Sequence, residues 1–211
     1  MLNKTHLKLV SSKPDKRTVK PPKPSGRRPN AEYRPREHLT EREVEKLMTA
    51  AKGNRWGQRD ATLILITFRH GLRASELCEL QWSDVEFETG NLHLRRAKGG
   101  VTSTHPLRGD EIRALRALKK KGADKSPYIF ETERGAPFTV SGLAKLIERA
   151  GIEAKLPFKV HMHMLRHACG YALANKGTDT RTLQAYLGHR SIQSTVRYTE
   201  LAPGRFKNLW R

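Results

Sequence analysis

Apolar and polar positions along the chain become regular at Leu39, and from there they predict a domain built mainly from helices. Thr40 and Glu43 have the spacing of a capping box, and Leu39 precedes them as a hydrophobic staple. A helix is therefore expected to begin at this point. Similar spacing predicts further helices near residues 58–70, 74–80, 110–121, 140–150, 162–175, 180–187 and 191–200. The helix at 58–70 is apolar on most sides, which predicts a central position.

Three short stretches have the period of two that is typical of strands, at about residues 85–87, 92–96 and 102–107. Thr89-Gly90-Asn91 separates the first two, and Gly99-Gly100 separates the second from the third. Residues 128–130 are a candidate for one more short strand. We therefore predict an α+β fold, mainly α with a small antiparallel β-sheet inserted early, and no internal repeat.

The first 37 residues differ in composition from the rest of the chain. They hold eleven Lys and Arg, three Asp and Glu, and six Pro, with few large apolar side chains. Such a segment buries too little surface to offset its ordering entropy, so we predict a disordered basic arm at 1–37 and a folded domain at 38–211. The arm is either a solvated tail or a DNA-binding arm. In the second case the candidate contacts are Lys13, Lys16, Arg17, Lys20, Lys23, Arg27 and Arg28.

The charge balance favours a nucleic-acid partner. The chain has 41 Lys and Arg against 21 Asp and Glu, a formal net charge of +20, and each phosphate that it neutralises releases counterions. No apolar run approaches the ~20 residues of a membrane span, and the first ten residues show no secretion signal. Cys78 and Cys169 both fall in helical patterns, as buried thiols in a reducing compartment do. These features predict a cytoplasmic, nucleoid-associated protein that binds double-stranded DNA.

The helix at 162–175 separates an apolar face from an edge with ionisable groups. The apolar positions follow core spacing, whereas His163, Arg166 and His167 lie together on another edge. A cation and two imidazoles on one edge suit the binding of an anion and the movement of protons near neutral pH.

Tyr198 in the last helix is the candidate nucleophile. At 100° per residue it falls about 120° from the apolar stripe, so we expect it to point away from the residues of that stripe, Ile192, Val196 and Thr199. His189 precedes it and follows Gly188, where the backbone turns sharply.

The order of these groups resembles that in the tyrosine recombinases, the phage-integrase type of DNA strand-exchange enzyme. HMLRH at 163–167, LGH at 187–189 and Tyr198 nine residues later resemble the family's C-terminal signature. GLRASEL at 71–77 resembles its first arginine box, and Lys98 beside Gly99 matches its β-hairpin lysine. The likeness runs from Leu39 to Tyr198. THPL at 104–107 and GRF at 204–206 look similar to the short recombinases that invert fimbrial promoters.

The resemblance implies that Tyr198 attacks a DNA phosphorus, forming a 3′-phosphotyrosyl link and freeing a 5′-hydroxyl without metal, ATP or other cofactor. A phenol with a pKa near ~10 needs a neighbour that takes its proton, and His163 is a candidate for this base or for a phosphate donor. Arg73 and Arg166 would bind phosphate oxygens through planar, permanently charged guanidinium groups. Lys98 would protonate the leaving 5′-oxygen.

Further residues and partners are implied in the same way. His189 would donate a hydrogen bond to a phosphate oxygen, while His167, Glu76 and Gly188 would have supporting roles, Glu76 by orienting an arginine. The active form would be a homotetramer on two DNA sites, with accessory DNA-bending proteins as additional candidates. The residues leave open whether the outcome is inversion, integration or excision.

The sequence also departs from the family pattern. Met162 stands where the family often has Pro. Most members carry an N-terminal core-binding domain, whereas only the basic arm precedes Leu39 here. We therefore expect either that the DNA clamp is incomplete or that the arm or another protein replaces the missing domain. Thirteen residues follow Tyr198, which is a short tail for docking on a neighbouring protomer.

Three other functions stay open at this point. One is a zinc protein, because His163 and His167 have the spacing of helical zinc ligands and two further candidates, His161 and Cys169, are close in sequence. Another is a DNA-binding regulator with this fold but no cleavage activity, for which Tyr198 would be superfluous. The third is a type IB topoisomerase, which uses similar tyrosine chemistry as a single subunit.

Overall fold

Eight α-helices form most of the part of the chain that the computed structural model describes, residues 36–96, 101–122 and 126–200. Lys98, the seven candidate arm contacts and the residues beyond 200 lie outside the described residues. The predicted α+β class is confirmed. The helices are α1 (Glu41–Lys52), α2 (Gly57–His70), α3 (Ala74–Cys78), α4 (Gly109–Gly122), α5 (Val140–Glu153), α6 (Met162–Asn175), α7 (Thr180–Leu187) and α8 (Gln193–Glu200).

The three predicted strands form one antiparallel sheet in chain order. They are β1 (Val85–Glu86), β2 (Asn91–Leu94) and β3 (Ser103–Pro106), with Leu92 opposite both Val85 and His105. A 3₁₀ turn at Trp82–Asp84 leads into β1.

The strand predicted at residues 128–130 is wrong. Tyr128 makes a single antiparallel bridge with Gln81, supported by backbone bonds from Trp82 to Pro127 and from Ile129 to Leu80. The pairing stops there because the chain enters the 3₁₀ turn at Trp82 instead of extending beside Ile129.

The beginning of α1 confirms the predicted capping box. The backbone N–H of Thr40 donates to Glu43 Oε2 at 2.8 Å, and the N–H of Glu43 donates to Thr40 Oγ1 at 3.3 Å. Leu39 just before the cap is buried. Helix α1 then packs on α2, which also contacts α4 and α6 and occupies the central position that its apolar sides predict.

Two left-handed glycine turns bring distant helices to the same place. Gly71 ends α2 with φ +58°, and a Cβ there would lie 2.5 Å from Leu187 Cδ2 at the end of α7. Gly188 ends α7 with φ +63°. Because only glycine adopts this conformation without steric cost, both turns are closely specified by sequence. They direct the start of α3 and the residues after α7 toward the same edge of α6.

The helices described here include none that is long and apolar enough to cross a membrane. Of the two cysteines, Cys169 is buried as expected, and Cys78 is only partly buried.

We expect Thr40→Ala to lower the free energy of unfolding by about 1 kcal/mol, because it removes the side-chain acceptor of the cap. Urea unfolding followed by circular dichroism measures this change. Thr49→Ala is the matched control, since Thr49 lies within the same helix and its hydroxyl bonds only the Glu45 carbonyl, at 2.9 Å. Its effect should stay within about 0.5 kcal/mol. Equal losses in the two variants would contradict the capping role.

Candidate active site

A cleft of about 690 Å³ brings together most of the predicted site residues that the structure describes. Helix α6, the start of α3 and the segment from Gly188 to the end of α8 form its walls. Six of the predicted residues line it, namely Arg73, His163, Arg166, His167, His189 and Tyr198. Gln193, Ser194 and Arg197 of α8 complete the lining. Residues separated by more than a hundred positions in sequence therefore face one space.

Glu76 lies at the centre of the positive charge in this region. Its buried carboxylate accepts from Arg73 Nη1 at 2.6 Å and from Arg96 Nη1 at 3.0 Å, and Arg166 Nη1 is 3.9 Å away. The backbone N–H of Arg73 also donates to it at 2.9 Å, since Glu76 occupies the third position of α3 and reaches back to the helix cap. Burial alone raises the pKa of Glu76, but these bonds and charges bring it below its ordinary value. This geometry agrees with the prediction that Glu76 orients an arginine. It also shows that the carboxylate lies beside three arginines and not one.

Arg166 connects the three segments around the cleft. Its side chain is 1% exposed. Nη1 donates to the carbonyl of Gly71 in the turn before α3, and Nη2 donates to the carbonyl of Leu187 at 2.6 Å. Burial and the charge of Arg73 lower the pKa of Arg166 to about 10, so it stays cationic at neutral pH. Arg73 is the more accessible cation of the two, with 29% of its side chain exposed.

The structure places Tyr198 on the buried face of α8, contrary to the sequence-based expectation. Tyr198 is 2% exposed and shares its face with buried Thr195, whereas the residues of the predicted stripe are only partly buried: Ile192, Val196 and Thr199. The spacing of apolar residues in α8 did not predict its buried face, because Tyr198 packs against α6 through its ring and its hydroxyl. The Tyr171 ring meets Tyr198 edge-on at 5.0 Å, and a Cβ on Gly170 would come within 2.8 Å of its ring.

The phenol of Tyr198 is bonded to His167, not to His163. The distance from His167 Nδ1 to Tyr198 Oη is 2.8 Å. His163 is exposed at the mouth of the cleft, and its ring meets that of His167 edge-on at 4.4 Å. The residue predicted as a support therefore contacts Tyr198 directly, and the residue predicted as a base lies one helical turn further out. The i, i+4 spacing pointed to both imidazoles without indicating which one faces α8.

Burial sets the protonation of this pair. It raises the pKa of Tyr198 to about 12, against the opposing charges of Arg166 and Arg197. Burial also lowers the pKa of His167 to about 3, together with the charges of His163 and Arg197. At neutral pH a neutral phenol therefore faces a neutral imidazole across a short hydrogen bond.

His189 lines the cleft beside Tyr198. Its Nδ1 lies 2.8 Å from Thr195 Oγ1, and its ring stacks on Tyr198 with the centroids 6.3 Å apart. Burial, followed by the charges of Arg166 and Arg73, lowers the pKa of His189 to about 4. The neutral ring is placed to donate from its other nitrogen to an anion in the cleft.

Two arginines of this region were not identified from the sequence. Arg96 bonds Glu76 from the end of β2, and only its position two residues before Lys98 could have drawn attention to it. Arg197 lines the cleft and pairs with Glu37 at 2.5 Å, which joins α8 to the segment that enters the domain. The neighbouring His38 stacks on Tyr171 with the centroids 4.1 Å apart.

The residues of the zinc hypothesis have other partners. His167 bonds Tyr198, and burial raises the pKa of the Cys169 thiol to about 12, which opposes the thiolate that zinc requires. Within the described ranges, no group of three or more His, Cys, Asp or Glu side chains is arranged to hold a metal ion.

Comparisons with known proteins agree with the geometry. The profile of the Phage integrase family matches residues 37–205. The chain is 44% identical over 180 residues to the type 1 fimbriae regulatory protein FimE of Escherichia coli K12, covering 83% of this chain and 91% of that protein. The crystal structure of XerA recombinase has a TM-score of 0.70 at 28% identity, over 81% of this chain and 62% of that one. The pre-cleavage complex of the XerH site-specific recombinase with its difH substrate has a TM-score of 0.66 at 26% identity. That match covers 78% of this chain and 50% of that one. The chain thus spans between half and two thirds of these solved recombinases.

The depressed pKa of His167 makes folding depend on pH in a defined direction. Between about pH 3 and its ordinary value of 6.5, the unfolded chain protonates this imidazole and the folded protein does not. The unfolded state therefore binds more protons, and stability falls as pH falls through this window. We expect His167→Gln to take up about one proton fewer on unfolding at pH 5, so that its unfolding free energy depends less steeply on pH.

Urea unfolding between about pH 5 and 7 measures this slope. Tyr198→Phe is the control, because it leaves His167 buried, and burial is the main cause of the shift. It should keep the wild-type slope. An unchanged slope in His167→Gln would mean that the imidazole is already protonated in the folded protein.

Proposed function

Because the chain belongs to the phage integrase family of tyrosine recombinases and is a site-specific DNA recombinase, we propose that Tyr198 is its nucleophile and that Arg73 and Arg166 bind the phosphate under attack. The single observation that carries this assignment is the cleft in which the Tyr198 phenol, bonded to His167, shares one space with both arginines. A family member without cleavage activity has no physical need for this combination.

The proposed step is an exchange of one phosphate ester for another. The Tyr198 Oη–phosphorus bond forms while the bond from phosphorus to the 5′-oxygen breaks, leaving a 3′-phosphotyrosyl link and a 5′-hydroxyl. The phenolic proton passes to a base, and the leaving oxygen takes a proton from an acid. Because the ester bond is kept, the reverse attack by a 5′-hydroxyl rejoins DNA without an energy source. Arg73 and Arg166 stabilise the charge that develops on the phosphate oxygens.

His167 is the base that the contacts favour for Tyr198. Its Nδ1 already touches the phenol, and positive neighbours contribute to its low pKa. A bound phosphate brings negative charge among these cations and so raises the basicity of the imidazole. His163, at the mouth of the cleft, then donates a hydrogen bond to a phosphate oxygen, which is the second of its two predicted roles. His189, which also lines the cleft, donates to a phosphate oxygen as well. Lys98 stays the proposed acid for the leaving oxygen.

The assembly and its setting follow from the family. We propose a homotetramer on two DNA sites, with DNA-bending proteins as accessory factors and the cytoplasmic nucleoid as the place of action. The 44% identity with a fimbriae regulatory protein supports inversion of a DNA segment as the outcome. The basic residues up to position 37 supply a nonspecific grip on DNA. A tetramer on two sites separates this proposal from a topoisomerase, which acts as one subunit.

A nicked suicide substrate tests the nucleophile. With DNA taken from the sequence that flanks the gene, we expect the wild-type protein to form a covalent adduct that resists denaturation, and Tyr198→Phe to form none. The matched control is Tyr171→Phe, because Tyr171 is a second buried tyrosine whose ring meets that of Tyr198. It should retain the adduct.

Each outcome of this experiment has a consequence. An adduct that survives Tyr198→Phe would overturn the nucleophile. Tight binding without an adduct for the wild-type protein would support the regulator without cleavage activity instead. Mapping the adduct peptide by mass spectrometry identifies the linked residue directly.

The arm is tested by removing its charge in the full chain. Replacing the seven basic residues from Lys13 to Arg28 with Gln should weaken DNA binding and flatten its dependence on salt, with the slope falling by up to about 0.9 for each lost phosphate contact. Fluorescence anisotropy at several salt concentrations measures the slope. The control variant carries Gln at two exposed lysines of α1, Lys46 and Lys52. A slope equal to that of the wild-type protein would show that the arm is only a solvated tail.

A further inference from the structure

Arg96 is a buried cation at the point where β2 ends. Its side chain is 0% exposed. Nη1 donates to Glu76 Oε2 at 3.0 Å, and Nη2 donates to the carbonyl of His70 at 3.2 Å and to the carbonyl of Tyr186 at 2.5 Å. Burying a guanidinium is costly unless its donors are satisfied. These acceptors take up Nη1 and Nη2, whereas the buried Nε has no hydrogen-bond partner in the part of the chain that the structure describes.

The three acceptors lie at the end of α2, in α3 and near the end of α7, each next to a proposed phosphate-binding group. His70 is the last residue of α2, directly before the turn that leads to Arg73. Tyr186 lies in the last turn of α7, just before the turn that leads to His189. Glu76 bonds Arg73 and lies beside Arg166. A single planar group therefore fixes the distances between these segments.

Gly188 shows how closely this group is packed. A Cβ at Gly188 would lie 2.6 Å from Arg96 Cγ and 2.9 Å from Cδ. The absence of a side chain at Gly188 thus allows the Arg96 stem to pass under the turn, in addition to allowing the left-handed backbone there. The position of Arg96 and the position of His189 are consequently coupled by direct contact.

The carboxylate of Glu76 depends on Arg96 for its orientation. Oε1 accepts from Arg73 Nη1, while Oε2 accepts from Arg96 Nη1 and from the backbone N–H of Arg73. Without Arg96, Oε2 would lose its nearest cation, and Arg166 at 3.9 Å would be the next candidate to bond it. Drawing Arg166 toward Glu76 would pull it from the carbonyls of Gly71 and Leu187 and change its position in the cleft.

We propose that Arg96 is a positioning residue for the phosphate-binding arginines: it holds Glu76, and through Glu76 the side chains of Arg73 and Arg166, in register with the turn before His189. This inference rests on the proposed function of the two arginines. Arg96 itself does not touch the DNA, because it is enclosed by protein.

The test compares two substrates in single-turnover cleavage at saturating DNA. One carries the natural phosphodiester at the cleavage site. The other carries a methylphosphonate there, in which a methyl group replaces a charged oxygen, so that less charge needs stabilisation by arginine. We expect Arg96→Lys and Arg96→Gln to cleave the phosphodiester about 10- to 100-fold more slowly than the wild-type protein, the cost of a small misplacement of catalytic groups. On the methylphosphonate the deficit should shrink several-fold.

Two controls frame this comparison. Arg73→Ala should show the same relief on the methylphosphonate, since it removes one of the positioned charges. Arg95→Gln changes the preceding arginine, whose side chain is 75% exposed and pairs with Asp84, and it should cleave both substrates at the wild-type rate. Melting temperatures identify any variant that does not fold. Of the two Arg96 variants, Arg96→Lys is the more conservative because it keeps the positive charge.

The outcomes separate the inference from the proposed function. Wild-type cleavage rates in both Arg96 variants would overturn the positioning role. An equal deficit on the two substrates would also overturn it, because a residue that only supports the fold slows both alike. Failure of the wild-type protein to cleave either substrate would instead contradict the proposed function.

Discussion

A buried carboxylate surrounded by guanidinium groups is the interaction on which the site depends. Glu76 has three arginines within 4 Å, Arg73, Arg96 and Arg166, and it neutralises only one of the three charges. The excess positive charge is enclosed by protein on most sides, where electrostatic interactions are less screened than in water. An anion that enters the cleft therefore meets an unbalanced positive potential, and removal of Glu76 would leave three cations to repel each other. The same group that organises the arginines thus also limits their repulsion.

Tyr198, the proposed nucleophile, is uncharged at neutral pH and buried, in contrast to the arginines around Glu76. Tyr198 is 2% exposed, its phenol bonded to His167 and its ring enclosed by α6. Burial raises the pKa of the phenol and lowers the pKa of the imidazole, so both groups are neutral at neutral pH. The pairs Glu37–Arg197 and His38–Tyr171 connect the entry to the domain with this region. Helices α8 and α6, which carry Arg197 and Tyr171, are therefore tied to the segment that enters the folded domain.

Features that depend on neighbouring residues were predictable from the chain. The capping box at Thr40, the turns at Gly71 and Gly188, and the order of helices and strands all follow from local spacing and backbone preference, and each is present in the structure. The family signature likewise selected most of the residues that line the cleft, because it consists of short strings at regular separations. The match to FimE confirms the predicted likeness to fimbrial recombinases.

The errors concern contacts between segments far apart in sequence. An amphipathic pattern assumes that the buried face of α8 is the apolar one, but that face meets rings and hydroxyls on α6, so Tyr198 is buried and the choice of His167 over His163 is made by packing. Arg96 was overlooked for the same reason, since its three acceptors come from α2, α3 and α7. The sequence by itself determined which elements form and which chemical groups are present. Only the tertiary structure decided which groups touch, because the energy of burying a charge or a phenol depends on partners that no local pattern contains.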